Sequence, residues 1–329
     1  MSWVVLGASF LAALVPALVY ANMLHWFDRF DDEPLPFAWT AFLWGAFPAV
    51  ILSMIGEGVI NPTNATWDRQ SAELFGAAGV APFIEEIAKG IIVYAIFIFA
   101  RFEFESPLRG IIYGALTGCG FAVTENVLYF LMGYLGGGWS SWTILVVGRA
   151  VVFGLNHSLF TGLTGLGLGL ATVNAPWFAR VIFAFTGLGA GMMYHAIHNA
   201  GATLVENTPW TLAVSAVNDW GGVLLIAFVI WLGVAYEKTW VAHELTEELD
   251  AGIIDARDYA LARSHRTRFW HWLGALARFN PRRAKRLSLL AELMTELAFR
   301  KRQMRLRGYD YSSQIHDLRQ TIVMLRAMK

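Results

Sequence analysis

The sequence is short of charge and nearly devoid of cysteine. Only 15% of its 329 residues are Asp, Glu, Lys or Arg, against about 25% in a soluble domain. Its single cysteine, Cys119, lies inside an apolar run. That excludes a disulfide framework and a thiolate metal cluster, and leaves a buried structural thiol. No His-Glu-x-x-His run occurs, so the helix signature of soluble zinc proteases is absent too. What replaces them is apolar bulk: 56% hydrophobic residues, with 14 Trp and 23 Phe, and a mean hydropathy of +0.48. Lipid is the expected main solvent.

A formal net charge of zero conceals two unlike parts. From Glu237 to the end there are 18 Lys and Arg against 11 Asp and Glu, which leaves 7 against 14 in the first 236 residues. The pattern predicts a transmembrane catalytic domain over 1–236 and a basic cytoplasmic helical domain over 237–329. Since about 20 apolar residues cross a bilayer, seven segments qualify: 3–22, 38–57, 72–100, 108–132, 142–171, 178–205 and 210–236. The fold class is therefore all-α, a polytopic membrane helical bundle of about seven transmembrane helices with a C-terminal soluble helical tail. The first segment lacks a basic leader and reads as a retained span, not a signal peptide. Arg29, Arg101, Arg109 and Arg180 fall on one set of loops or their edges and only Arg69 on the other. By the positive-inside rule, the N-terminus lies outside and the tail in the cytoplasm, in a bacterial plasma membrane.

Charge inside such segments is costly, at about 2.5–3.5 kcal/mol per group on insertion scales, and marks function by default. Glu85, Glu86 and Lys89 lie in the third segment, Glu125 and Asn126 in the fourth. Arg149 and His157 lie in the fifth, and His195, His198 and Asn199 in the sixth. Counted along their segments, the carboxylates and imidazoles all reach mid-membrane, which implies one shared site. Three- and four-residue steps put Lys89 on the face of Glu85 and Glu86. Four-residue steps also make a stripe of Arg149, Phe153, His157, Thr161, Gly165 and Gly169, whose glycine end permits close helix approach. Each group has a bland reading. A lone histidine can be a packing residue, Glu85 and Lys89 an internal ion pair, and Arg149 a partner for a glutamate. Packing alone does not account for the whole set.

Imidazoles and carboxylates are ordinary Zn2+ ligands, and a metal-bound water with a carboxylate to take its proton hydrolyses amides. An amide such as Asn199 is suited to donate to the oxyanion. A proton- or cation-coupled transporter uses similar groups and stays open, although the halves show no repeat of the kind common in transporters. A non-catalytic scaffold acting through the tail is the third reading.

Glu85-Glu86-x-x-Lys89, Phe121-x-x-x-Glu125-Asn126, His157 in its stripe and His195-x-x-x-Asn199 resemble the successive motifs of the PrsW intramembrane proteases, relatives of the CAAX prenyl proteases of the Abi or CPBP superfamily. The resemblance spans about residues 75–205. It implies cleavage of a membrane-anchored protein such as an anti-sigma factor. It further implies Glu85 and Glu86 as the catalytic pair, with Glu86 as general base. Glu125, His157 and His195 would be the metal ligands, with Zn2+ as the cofactor, and Asn199 would assist. Where the CAAX branch carries a histidine in the second motif, this chain has Glu125.

The tail lies outside the resemblance. Leu287, Leu290, Met294, Leu297, Lys301 and Met304 keep helical spacing, and after Gly308 so do Ile315, Leu318, Ile322 and Leu325. A helical hairpin or coiled coil is expected, with homo-oligomerisation through it a possible use. The basic cluster Arg282, Arg283, Lys285 and Arg286 suits anionic lipid headgroups. No motif points to nucleic acid.

Overall fold

A backbone surrounded by hydrocarbon must satisfy its own peptide groups, because each one left unbonded costs several kcal/mol. Every regular element among the described residues is accordingly a helix. The computed structural model describes residues 3–27, 35–60, 67–100, 104, 106–172, 176–308 and 310–327. Arg29 and its acidic neighbours in 28–34, the Asn61–Asn64 break, Arg101 and Asn174 lie outside them.

Helix α1 (Trp3–Phe27) is followed by α2 (Leu35–Trp44), which passes through a π-helical stretch, Gly45–Ala49, into α3 (Val50–Ile60). Helix α4 (Arg69–Phe75) passes likewise through Gly76–Val80 into α5 (Ala81–Phe99). Then come α6 (Pro107–Leu145), a third π-helical stretch at Val146–Val152, α7 (Asn156–Ala171), α8 (Trp177–Thr203) and α9 (Thr211–Glu244). Among the described residues, five helical runs are long and apolar enough to cross a membrane: Trp3–Leu24, Leu35–Ile60, Pro107–Ala171, Trp177–Thr203 and Thr211–Asp250. The third of these is 65 residues long, more than the 20 or so that one crossing needs. It is interrupted at Gly137 (φ −151°) and Gly138 (φ 65°). The run from Arg69 to Phe99 does not join the five. It carries Glu85, Glu86 and Lys89, and all three are buried against protein.

One expectation needs correction. The fifth segment is not a single helix, because the chain turns at 153–155 before α7 begins. The Asn156 side chain accepts the backbone N–H of His157 at 2.7 Å, a local bond that competes with helix continuation. Arg149 therefore precedes the break, Phe153 opens it, and only His157, Thr161, Gly165 and Gly169 remain on α7.

Glycines set how closely the helices approach. A Cβ on Gly110 of α6 would lie 2.1 Å from the Gly165 carbonyl of α7, and one on Gly118 would lie 2.1 Å from the His157 carbonyl. No side chain fits there, so the two backbones touch, as small residues allow in membranes.

The described chain divides into two compact units, one through Ile230 and one from Trp231 onward, with the division inside α9. The second unit adds α10 (Thr246–Asp250), α11 (Ala256–Arg263), α12 (His265–Ala277), α13 (Pro281–Arg307) and α14 (Ser312–Ala327). Its core joins Val241, Leu245, Ile254, Met294, Leu297, Ile315 and Ile322. Gly308, at φ 69°, closes α13 in the left-handed conformation that glycine adopts freely. Buried Glu248 accepts from Lys301 at 2.8 Å and from Arg319 at 2.6 Å. At the rim of this unit Asp255 accepts the N–H of Asp258 at 2.9 Å and pairs with Arg326 at 3.1 Å. The backbone bond to Asp258 is the main reason its carboxyl lies below the ordinary range. Glu247 is lowered too, chiefly by its bond to Lys301.

A lowered folded-state value gives stability that is present above the unfolded pKa and lost as pH falls through the folded one. The loss is therefore expected below about pH 4. Hydrogen exchange of residues 246–263 in the full-length protein checks this. Asp255→Ala should lower protection at pH 6, and its difference from the native protein should shrink as pH falls through the lowered folded pKa of Asp255; a difference that stays the same across that fall would contradict the assignment.

Candidate active site

Pro82 lies where the π-helical stretch Gly76–Val80 passes into α5, and its missing N–H leaves a carbonyl of the preceding turn without a helical donor. One turn later α5 presents Glu85, Glu86 and Lys89. Their three- and four-residue spacing puts them on one face, and that face is fully enclosed: Glu86 and Lys89 have 0% exposure and Glu85 6%. Lys89 Nζ donates to Glu86 Oε1 at 2.6 Å and to Glu85 Oε2 at 3.2 Å. It also sits 4.1 Å from the centre of the Phe121 ring, a cation–π contact. The two glutamates differ in how far they are committed. Glu86 accepts from Lys89 and His195 on Oε1 and from the Thr161 hydroxyl on Oε2. Glu85 meets Lys89 through Oε2, which also lies 3.8 Å from His195 Nε2.

His157, at the start of α7, and His195, on α8, close the site from the other side. Lys89 has only donors to offer, so His157 Nδ1, 3.3 Å away, accepts from it. His157 Nε2 then carries the hydrogen and faces Glu125 Oε2 at 2.6 Å. His195 Nδ1 donates to Glu86 Oε1 at 3.0 Å, which leaves the lone pair of Nε2 facing Glu85. The His195 ring is stacked on Phe160 at 4.7 Å and 15°. Each imidazole is thus held by a carboxylate through one nitrogen, with the other turned toward Glu85 and Lys89. Such carboxylate–histidine pairs fix ring orientation around protein-bound metals. Donor atoms of Glu85, His157 and His195 all lie within 4.8 Å of one another.

Glu125, on α6, reaches this centre through His157. Its Oε2 also takes Arg149 Nη2 at 2.8 Å, while Arg149 Nε donates to Asn126 at 2.9 Å. The Arg149 guanidinium lies 3.7 Å from the Tyr129 ring centre, so the glutamate's charge is matched locally. Asn199 points elsewhere. Its amide donates to the Ala77 carbonyl at 2.8 Å, tying α8 to the π-helical stretch ahead of α5; the second amide hydrogen is the one an oxyanion contact needs.

Sequence reasoning missed a second buried set behind the first. His198 Nδ1 lies 2.7 Å from Asp219 Oδ2 of α9, and Asn218 donates to the other oxygen of Asp219 at 2.9 Å. Asn156 Nδ2 meets His198 Nε2 at 3.4 Å, and the Oδ1 of the same Asn156 accepts the N–H of His157. The chain Asp219–His198–Asn156 therefore holds the first turn of α7 in place. Asp219 is a lone carboxylate in the last apolar segment, and its intramembrane position was the signal.

Comparison with known proteins agrees with the motifs. A model of the PrsW family of intramembrane metalloproteases matches residues 33–234. The chain belongs to this family. Protease PrsW of Geobacillus kaustophilus (strain HTA426) is 28% identical over 165 residues, 49% of this chain and 65% of that one. Protease PrsW of Clostridioides difficile (strain 630) is 32% identical over 120 residues, 36% and 49% of the two chains. Protease PrsW of Bacillus subtilis (strain 168) is 26% identical over 123 residues, 36% and 52% of the two. These matches span about half to two-thirds of the relatives' own lengths. No solved structure matches. Residues 235–329 lie beyond the PrsW match, whereas the site from Glu85 to Asp219 lies wholly inside it.

The close seating of α6 on α7 gives a test of positioning. Gly118→Ala forces a Cβ against the carbonyl of His157 itself, and overpacking costs about 1–3 kcal/mol. Any protein that still inserts should be at least about tenfold less active, since small misplacements of catalytic groups are costly. Full activity in the inserted variant would mean that His157 is not held from this side.

Proposed function

We propose that the chain is an intramembrane endopeptidase that cuts a membrane-anchored protein. The observation that carries this is the fully buried cluster of Glu85, Glu86, Lys89, His157 and His195, assembled from three helices within a bundle of apolar segments. Such a cluster is too costly to retain for packing alone, and its groups are those of amide hydrolysis. The seven-crossing arrangement, with the N-terminus outside and residues 237–329 in the cytoplasm, belongs to the same reading, as does kinship with the CAAX prenyl proteases.

The donor set suits Zn2+. One carboxylate and two imidazoles leave a position open for water, the usual composition of a catalytic zinc site. Glu85, His157 and His195 would hold the ion, and Lys89 supports the fit, because its ammonium already rests between Glu85 and His157 as the cation their lone pairs face. A bound ion would compete with Lys89 for those two contacts. When bound, it supplies acidification of a water and polarisation of the scissile carbonyl. Glu86 and Glu125 orient His195 and His157. Glu85, the less committed of the two carboxylates, receives the proton of the attacking water and passes it to the leaving amine, while Glu86 stays bound to Lys89, His195 and Thr161. Lys89 is the donor we assign to the developing oxyanion, and Asn199, bonded to the Ala77 carbonyl, holds α8 against the stretch ahead of α5. Compared with the sequence-based assignment, Glu125 moves from ligand to orienting group and Glu85 takes its place. An anti-sigma factor or similar single-span signalling protein is the substrate class we assign.

Cells carrying only the His157→Ala protein test the reading. A single-span protein that is cut in native cells should accumulate whole in them. No such difference, with the variant inserted and abundant, would sink the protease reading. A pH-driven flux in proteoliposomes that disappears with Glu125→Gln would replace it with a transporter.

A further inference from the structure

The second unit carries a surface that neither its own core nor the hydrolytic reading uses. Between Asp258 and Glu292 the sequence holds no acidic residue but eight basic ones: Arg263, Arg266, Arg268, Arg278, Arg282, Arg283, Lys285 and Arg286. Arg268 is spent internally, donating to the Leu261 and Ala262 carbonyls that end α11. Arg266, Arg278, Arg282, Arg283 and Lys285 are exposed. Within this cationic stretch, α12 turns Phe269, Trp270, Trp272 and Leu273 outward. The turn into α13 then puts Phe279 at 96% exposure with a φ of 55°. A left-handed phenylalanine is strained, and this one recovers no packing for it.

Soluble surfaces do not group aromatic rings this way. Tryptophan and phenylalanine beside arginine and lysine are what a helix lying in a membrane interface presents. The amphipathic rings sit at headgroup depth, and the cations meet anionic headgroups. Nucleic acid would be drawn by the same charge, but bases stack on aromatics set along a groove, and these rings stand on a convex helix and a turn.

We propose that α12 and the Phe279 turn form a monotopic anchor, with their aromatic side chains inserted in the headgroup region of a leaflet rich in anionic phospholipid. The anchor belongs to the same chain as the membrane bundle, so linkage lowers the entropic cost of meeting a bilayer. Its consequence is that the second unit makes its own contact with the membrane surface.

The full-length protein in proteoliposomes tests this. Cys119 is buried, so an environment-sensitive maleimide dye reports from Ala277→Cys, an exposed position next to the turn, with Ser313→Cys on α14 as reference. With phosphatidylglycerol present, the dye at 277 should shift to the blue. Shallow nitroxide-labelled lipid should remove at least about half of its emission, as expected at interfacial depth. Adding Trp270→Asp and Phe279→Asp should abolish that quenching. Arg282→Glu, Arg283→Glu and Lys285→Glu together should weaken it steeply, each lost cation contributing about fivefold in surface affinity. A dye at 277 open to aqueous iodide in every vesicle overturns the anchor. A dye shielded from both iodide and labelled lipid overturns it in favour of a protein contact. Equal quenching in vesicles of phosphatidylcholine alone overturns the anionic assignment. The predicted effects are independent of Glu86 and His157, so loss of the anchor and loss of hydrolysis are separable.

Discussion

His195→Gln is expected to lower cleavage by more than about a thousandfold, and Glu86→Gln by only about 10- to 100-fold. Both would be measured as turnover of a single-span substrate in proteoliposomes, on protein shown to be folded. The contrast follows from what each side chain touches. A glutamine at 195 can still donate to Glu86 Oε1, now 3.0 Å from His195 Nδ1, but it has no imidazole lone pair to turn toward Glu85. The electrophilic centre would be lost, and such a centre is worth several kcal/mol of transition-state stabilisation. Glu86, by contrast, is enclosed by Lys89, His195 and Thr161, and an orienting carboxylate behind a histidine typically accounts for one to two orders of magnitude. A Glu86→Gln loss of a thousandfold or more, larger than that of Glu85→Gln, would instead make Glu86 the proton acceptor, within the range of general-base catalysis. Full activity of both Gln variants would remove the cluster from the chemistry altogether.

Much of this was legible in the sequence, for identifiable reasons. Hydrophobic runs interrupted by Glu, Lys and His are conspicuous because lipid tolerates neither charge nor unpaired backbone, and the three- and four-residue steps of Glu85, Glu86 and Lys89 fix their common face. The pairing of Glu125 with His157, and of Glu86 with His195, was not legible, because it depends on how far each helix is rotated about its axis. Hydropathy records which segment is apolar and is nearly blind to rotation. The break at 153–155 escaped for a related reason. Val146–Val152, Arg149 apart, and Phe160–Ala171 are both apolar, and a π-helical turn followed by an asparagine that bonds its neighbour's N–H leaves no mark in hydropathy. Without that break the stripe from Arg149 to Gly169 reads as continuous; with it, Arg149 is free to serve Glu125 while His157 begins a new helix. Asp219 was overlooked because its partner His198 stands next to residues already given a role.

Lys89→Met is expected to make the protein's thermal stability depend on a divalent ion. Lys89 is enclosed and pairs with two buried carboxylates. Removing one partner of a buried pair costs about 3–5 kcal/mol, since the charge left behind cannot be solvated. Methionine keeps the apolar stem and fills most of the volume, so the loss is mainly electrostatic. A divalent ion bound by Glu85, His157 and His195 would balance Glu85 and Glu86 again, and ligand binding to the folded state alone adds stability by mass action. The Lys89→Met protein with Zn2+ should therefore melt near the native protein. In excess chelator it should melt about 6–20 °C lower, taking roughly 2–4 °C per kcal/mol for a unit of this size. The native protein should respond less to chelator, because the ammonium of Lys89 already occupies the same donors. Equal destabilisation of Lys89→Met with and without chelator, together with native turnover that survives chelation, would mean that no ion is held there. Hydrolysis would then rest on the carboxylates alone.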